Sequence, residues 1–379
     1  MRVALIAPPY FPVPPPGYGG VERVVAVLAR GLVERGHSVT LVAAQGSSGA
    51  TRVVSPLETP PLLGDASAFS DELCHALHLY RHADDFDVIH DHTGMGPALG
   101  AMTGGHPPVV HTLHGAWTDQ SRRLYGLLDD RVALVAISHA QKASNPHVRY
   151  AGVVPNGIDM DLHPLVSDKE DYLVFVGRIS PEKRPEVAIK VARQAGLPLK
   201  LIVKRSEPSE VRYWEDEVAP LLGPDTEVID QPPHAVKVRL MGRARAMLFP
   251  ISWPEPFGLV MTEAMACGTP VIARPLGAAP EVIVHGVSGF LCRTEQDMVA
   301  AVDKARDLDP AECRRVVQNS FSGEAMVRAY ERLYRMLSSG SWHHPTGTTG
   351  ASDCTGPGPD LAVSNALGSL REAAGSAAD

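Results

Sequence analysis

The chain has no apolar run approaching the ~20 residues that a membrane-crossing helix needs. Cysteine is scarce: Cys74, Cys267, Cys292, Cys313 and Cys354 are the five among 379 residues, and no two form a C-x-x-C pair. An odd count without metal-ligand spacing points to reduced thiols and a cytoplasmic setting rather than a disulfide framework. Positive charge is also short, with 35 Lys and Arg against 43 Asp and Glu and a formal net charge of −8. That excludes a general nucleic-acid binder, which carries a basic face, but not a local basic pocket for phosphate. Residues 1–7 hold one Arg and a short apolar run, then Pro8-Pro9-Tyr10 follows with no small-residue cleavage site. The segment reads as a first strand and not as a secretory signal. A dinucleotide-type G-x-G-x-x-G is missing too: Gly17-Tyr18-Gly19-Gly20 is followed by Val21-Glu22, which weakens a nicotinamide-binding reading. No internal repeat of 20–50 residues is apparent.

What is present is a regular alternation. With 44% hydrophobic residues, the chain is long enough for about two cores. Short apolar runs over 2–7, 38–43, 87–90, 109–113 and 133–137 read as strands. Between them lie helix-period segments over 21–35, 69–82 and 119–128. A polar, Pro-containing stretch over 155–169 suits a linker. A second series then follows, with strands over 172–176, 199–203, 227–230, 246–249 and 271–273. Its helices fall over 185–195, 235–244 and 259–267, and terminal helices over 295–308, 310–319 and 324–337. Strands that are apolar on both faces and alternate with helices predict parallel sheets covered by helices. The fold class expected is α/β, with two doubly wound, Rossmann-like domains. Residues 340–379 are rich in Gly, Ser, Thr, Pro and Ala and predict a disordered tail.

The most informative segment runs from Pro250 to Val271, PISWPEPFGLVMTEAMACGTPV. A strand ends near Phe249, a loop carries Glu255, and a helix beginning near Leu259 carries Glu263. Taken alone, Glu255 is a loop charge and Glu263 a helix-face charge. In a parallel sheet, however, ligands sit beyond the carboxyl ends of the strands, and the free amides of a helix N-terminus favour an anion. Gly177-Arg178 also directly follows a strand, with Lys183 five residues on. Other groups carry weaker signals. His90-Asp91-His92 ends a strand, but two His two apart are weak evidence for a metal, and a substrate-facing or acceptor-binding role is expected. Asp85-x-Asp87 precedes a strand and Asp159-x-Asp161 lies in the linker, and both read as solvent-facing turn charges.

The Glu255-x7-Glu263 segment resembles the signature of retaining glycosyltransferase family 4, whose GT-B fold sets two Rossmann-like domains facing across a cleft. The resemblance extends to about Leu337. It takes in Gly19-Gly20-Val21-Glu22, His111-Thr112-Leu113-His114-Gly115, Pro155-Asn156-Gly157-Ile158-Asp159, Val176-Gly177-Arg178 with Lys183, and Gly277-Ala278-Ala279-Pro280-Glu281. It implies an acceptor-binding domain over 1–165, a donor domain over 166–320, and a helix over 321–339 returning to the first domain. It further implies a hexosyltransferase-type, retaining enzyme with a nucleoside diphosphate sugar as donor. The acceptor would be a hydroxyl of a small molecule, saccharide or natural product.

By the same resemblance, Arg178 and Lys183 bind the donor diphosphate, Glu263 the ribose hydroxyls and Glu255 the donor sugar. Phe257, Gly258, Leu259 and Val260 line the turn beside diphosphate and sugar, Gly19 and Gly20 face the diphosphate, and His114 lies at the donor sugar. The catalytic set is then Glu255, Arg178, Lys183 and His114. No cofactor and no metal is expected, since the basic pair supplies the neutralisation a metal would provide. Without a strongly basic amphipathic helix, membrane contact is not favoured. The alternative is a nucleotide-sugar-binding auxiliary protein, or a GT-B-like nucleotide-sugar epimerase.

Overall fold

A computed structural model describes residues 1–62, 67–102, 107–128 and 131–339; the tail over 340–379 lies outside them. The chain divides into two units. Among the described residues, the first holds Met1–Pro15, Gly19–Gly157 and 323–339, and the second holds Pro16–Tyr18 and Ile158–Ser322. The break at Gly157/Ile158 falls within the linker stretch, eight residues before the 165/166 boundary that the resemblance implies.

The first unit contains β1 (Arg2–Ile6), α1 (Gly20–Glu34), β2 (Ser38–Val42), β3 (Arg52–Val54), α2 (Ala68–Tyr80), β4 (Val88–Asp91), α3 (Gly96–Gly100), β5 (Val109–Leu113), α4 (Asp119–Gly126), β6 (Ala133–Ala136), α5 (His139–Ala143) and β7 (Tyr150–Val153). Its sheet is parallel, in the order β3-β2-β1-β4-β5-β6-β7. Every residue of β4, β5 and β6 is buried, as expected of strands covered on both faces. Ile6, Ile89, Leu113 and Leu134 from the central strands pack with Leu79 and Tyr80 of α2. Strand order turns between β1 and β4. That switch point opens a crevice at the carboxyl edge of the sheet, where the loops after β1, β4 and β5 meet.

The second unit contains β8 (Glu170–Arg178), α6 (Pro185–Gln194), β9 (Leu199–Lys204), α7 (Pro208–Tyr213), β10 (Thr226–Asp230), α8 (His234–Arg243), β11 (Ala244–Phe249), α9 (Leu259–Ala266), β12 (Val271–Ala273), α10 (Ala279–Val282), β13 (Gly289–Leu291), α11 (Glu295–Lys304) and α12 (Pro310–Ser320). Its parallel sheet runs β10-β9-β8-β11-β12-β13, with the switch between β8 and β11. Leu173, Phe175, Leu201, Ala246 and Leu248 fill its core against Val187 and Val191 of α6.

The last described helix, α13 (Gly323–Ser338), packs in the first unit. Val327 fits against Gly31 of α1, where a Cβ would stand 2.6 Å from its Cγ2. Glu331 accepts from Arg35 at 2.7 Å and meets His37 Nε2 at 3.0 Å.

Three strands are absent from the sequence reading: β3, β7 and β13. Each is only three or four residues long and all three close a sheet edge. So short a run shows no alternation, and its pairing with a preformed neighbour is what defines it.

Candidate functional site

At the carboxyl edge of the second sheet, the loops after β8 and β11 are tied together. Ser252 donates from its amide to the Glu182 carbonyl at 2.9 Å and from its hydroxyl to the Pro181 carbonyl at 3.0 Å. Lys183 and Glu255, one on each loop, form an ion pair. The Lys183 ammonium also lies 5.5 Å from the Phe249 ring centre and 5.3 Å from that of Trp253. Glu255 is buried and accepts a second bond from Trp253 Nε1 at 2.9 Å. Arg178, at the end of β8, is half-exposed and faces the buried Glu210 at 3.6 Å.

Two glycines make this loop fit. Gly258 takes φ +82° as the residue before α9, a left-handed conformation that costs other residues strain. Gly277 takes φ +56°, and a Cβ there would stand 2.3 Å from both the amide nitrogen and the carbonyl oxygen of Glu255. The neighbouring Ala278 amide donates to that same carbonyl at 2.9 Å. Phe257 is buried, with its ring 5.7 Å from that of Phe321, whereas Leu259 and Val260 are half-buried in the first turn of α9. First-turn amides have no partner within their own helix, so the turn offers donors to an anion.

Glu263 lies one turn further along α9, almost fully buried, with Lys237 of α8 bonding its two oxygens at 2.9 and 2.7 Å. His163 Nε2 lies 3.8 Å away. Burial alone pushes this carboxyl up, but the Lys237 ammonium and His163 outweigh it and hold the group well below the usual carboxylate range. The outcome is a buried, ionised acceptor beside a helix start.

In the first unit, Gly19 precedes α1 and Gly20 opens it, while Glu22 in the first turn is buried. Burial pushes the Glu22 carboxyl up to about 7. His114 is half-buried at the end of β5, and its Nε2 lies 2.9 Å from His92 Nδ1. The His92 ring lies 3.9 Å from that of His90. His111 Nδ1 donates to the Asp91 carbonyl at 2.8 Å, and its ring stacks on Tyr125 at 4.9 Å. Burial pushes His111 down to about 4 and His114 to about 3, the latter helped by His111, and holds His90 and His92 well below their ordinary value. All four imidazoles are therefore uncharged at neutral pH.

Two expectations need correction. His90 does not face substrate: it is fully buried, with Nδ1 2.7 Å from the Tyr334 hydroxyl and Nε2 2.7 Å from Thr112 Oγ1. Thr112 is in turn 2.7 Å from the Tyr330 hydroxyl, so α13 closes over the residue. Asp159 is not a solvent-facing charge either. It is buried, and its carboxylate accepts from the Asp161 amide at 3.0 Å to close a turn. Asp87 is bonded to Arg2 at the amino end of the first sheet, away from the edge that carries the other groups.

The second unit thus gathers Arg178, Lys183, Glu255, Phe257, Gly258, Leu259, Val260 and Glu263 at one sheet edge; Gly19, Gly20 and His114 lie at the corresponding edge of the first. Sequence reading missed Trp253 and Lys237. Trp253 sits two residues before Glu255 and was open to detection. Lys237 carries no local signal, since its contact with Glu263 spans 26 positions. Among the described residues, no group of three or more His, Cys, Asp or Glu is placed to hold a metal, and no helix is long and apolar enough to cross a membrane.

Residues 163–322 match the family profile of Glycosyl transferases group 1, and residues 18–162 that of Glycosyltransferase Family 4. A phosphatidyl-myo-inositol mannosyltransferase of Mycolicibacterium smegmatis is 28% identical over 364 residues, covering 88% of this chain and 90% of that protein. The crystal structure of AviGT4, a glycosyltransferase involved in avilamycin A biosynthesis, superposes with a TM-score of 0.68 at 26% identity, over 90% of this chain and 98% of that one. Anabaena HepE, solved with UDP and glucose, shares the fold at a TM-score of 0.68 and 19% identity, over 88% and 98% of the two chains.

Proposed function

The chain belongs to glycosyltransferase family 4, with a GT-B fold, and from that premise we propose that it moves a sugar from a nucleoside diphosphate donor to an acceptor hydroxyl with retention at the anomeric carbon. One observation carries the donor reading: cations, helix amides and a buried ionised carboxylate converge at the switch point of the second sheet. Arg178 and Lys183 are the diphosphate ligands, Arg178 through its planar fork and Lys183 as a point charge. Charge grows on the leaving phosphate as the glycosidic bond breaks, so fixed cations favour the transition state over the ground state. The turn formed by Gly258, Leu259 and Val260 approaches the same phosphates. Glu263 accepts from the ribose hydroxyls, and Glu255 from sugar hydroxyls.

In the transfer, the acceptor oxygen bonds the anomeric carbon as its bond to the phosphate oxygen breaks. The acceptor proton passes to that leaving oxygen on the same face, so no enzymic nucleophile is used. By the same reading, Gly19 and Gly20 are diphosphate ligands, and His114, neutral, bonds a hydroxyl of the donor sugar. A metal is not required where Arg178 and Lys183 neutralise the diphosphate. The Mycolicibacterium relative is named for an inositol lipid and HepE was solved with UDP, which supports a nucleotide-sugar donor and a polyol-type acceptor.

The deciding experiment is calorimetry with UDP, GDP, ADP and dTDP and their sugars, with chelator present, followed by product analysis. Binding of one nucleotide and slow hydrolysis of its sugar with a retained anomer fits the proposal. A C2-inverted nucleotide sugar marks an epimerase, and binding without turnover marks an auxiliary protein.

A further inference from the structure

The donor reading gives no role to Glu210, a carboxylate on α7 that is only 2% exposed. One of its oxygens, Oε2, accepts from the Ser206 amide at 2.8 Å and from the Glu207 amide at 3.1 Å. The Glu207 side chain accepts from the Glu210 amide in return, and the two close a capping box over the start of α7. Such a cap uses one oxygen, and Gln at this position supplies it as well as Glu. It leaves Oε1 without an explanation. That atom is buried and has no hydrogen-bond partner among the described residues. Arg178 Nη1 stands 3.6 Å from it, outside hydrogen-bond range but inside ion-pair range. A buried carboxylate left open on one side costs free energy, and the guanidinium facing it offsets that cost.

Glu210 is itself held from two directions. The loop that supplies its two amides is pinned through Arg205, whose Nε donates to Asp230 at 3.0 Å and whose guanidinium lies 4.4 Å from the centre of the Trp214 ring. At the far end of α7, the Tyr213 hydroxyl donates to Glu186 of α6 at 2.8 Å. The carboxylate is therefore the fixed member of the pair. Arg178 is the member with freedom to turn, since it is long and half-exposed. A guanidinium serves a phosphate well only when its planar fork is turned toward it, and its N–H groups lie on more than one edge. An anion on one edge thus orients the fork and leaves another edge open. Glu182 also acts on Arg178 but is exposed, so water and salt screen it.

We propose that Glu210 is a positioning residue for Arg178: its Oε1 holds one edge of the guanidinium, so that another edge is presented to the donor diphosphate at the carboxyl end of β8. The identity of that anion rests on the donor reading above; the contact between Glu210 and Arg178 does not. Through Ser206 and Glu207, the same carboxylate links Arg178 to the loop after β9.

The test is Glu210→Gln in the full chain. Its amide oxygen keeps the cap, because an NH2 group turned toward the Ser206 and Glu207 amides would set donor against donor. The NH2 group then faces Arg178, and the contact is lost. Side-chain NMR with isotopically labelled arginine reads the contact without any ligand, the Arg178 signals being those that vanish in Arg178→Lys. Separate Nη–H signals are expected for Arg178 in the wild type, and a single averaged one in Glu210→Gln. Calorimetry with UDP, GDP, ADP and dTDP, each beside its nucleoside, reads the consequence. The diphosphate is expected to bind Glu210→Gln about tenfold more weakly, with nucleoside binding unchanged. In an Arg178→Ala background the same substitution should change nothing further, because the residue it acts through is gone.

Averaged Arg178 signals in the folded wild type overturn the proposal without any Glu210 variant. It is equally overturned if Glu210→Gln weakens diphosphate binding as much in Arg178→Ala as in the wild type. The same holds if the nucleoside loses as much affinity as the diphosphate, which marks a cap and nothing more. If no nucleoside diphosphate binds while the Arg178 signals still depend on Glu210, the donor reading fails, and the diphosphate role of Glu210 with it, but the contact stands.

Discussion

The Lys183 ammonium rests on the Glu255 carboxylate, 72 positions further along the chain, while Trp253 bonds the same carboxylate at 2.9 Å. The pair holds a cation and a carboxylate in register. Under the proposed function, a diphosphate that takes up Lys183 competes with Glu255 for it, which leaves the carboxylate free for sugar hydroxyls.

Removing either basic group is therefore expected to act on turnover. Arg178→Ala and Lys183→Ala should each lower kcat by on the order of 10²-fold, the scale for losing a preorganised charge donor. Steady-state kinetics with the donor found by calorimetry checks this; near-wild-type turnover in both variants removes the diphosphate assignment.

Glu263→Gln keeps the shape but removes the charge that Lys237 neutralises. Nucleoside diphosphate affinity should drop about tenfold, about 1.4 kcal/mol, measured as Kd by calorimetry. Unchanged affinity contradicts the ribose role.

Gly277→Ala tests whether the backbone of Glu255 is held by close approach. With 2.3 Å between the new Cβ and two Glu255 backbone atoms, the loop must move. Activity should fall by tenfold or more at the tolerance typical of displaced catalytic groups, about 10² for a 1 Å shift. A fully active variant argues that the loop is not so constrained.

Acid should weaken the first unit. His75 and His111 are pushed down to about 4 by burial, so the unfolded chain takes up protons first as pH falls. Their contribution is fully present above the unfolded value near 6.5, is lost as pH drops toward about 4, and then levels off. Each is worth on the order of 3 kcal/mol across that window. Urea midpoints at pH 7.5, 6 and 5 should decline, and His111→Gln should flatten the decline. A flat profile in the wild type contradicts the burial argument.

The parts legible in the sequence are those whose signal is local. Strands such as β5 and β11 are apolar on both faces, and the loop and helix bearing Glu255 and Glu263 follow directly. Lys237 and the burial of His90 were not legible, because each depends on contacts from other elements. The Tyr334 contact with His90 spans 244 positions, and no window of sequence contains both. His92 and His114 stand 22 apart and meet only because β4 and β5 are neighbours in register. In the run His90-Asp91-His92, the period-two alternation puts both imidazoles on one face with rings 3.9 Å apart, yet His90 bonds Tyr334 of α13 while His92 meets His114.

The position of α13 bears on how the chain is made. Tyr330 and Tyr334 bond Thr112 and His90 across 218 and 244 positions, so the first unit has to wait for its final helix while the whole second unit leaves the ribosome. Through that interval the α1 and β4–β5 surfaces that α13 covers are open to solvent. Domains otherwise tend to fold in order of synthesis, and contacts this remote in sequence form late. A fragment ending at Gly157 should therefore emerge as a sticky intermediate, dependent on chaperones or on α13 supplied as a separate peptide.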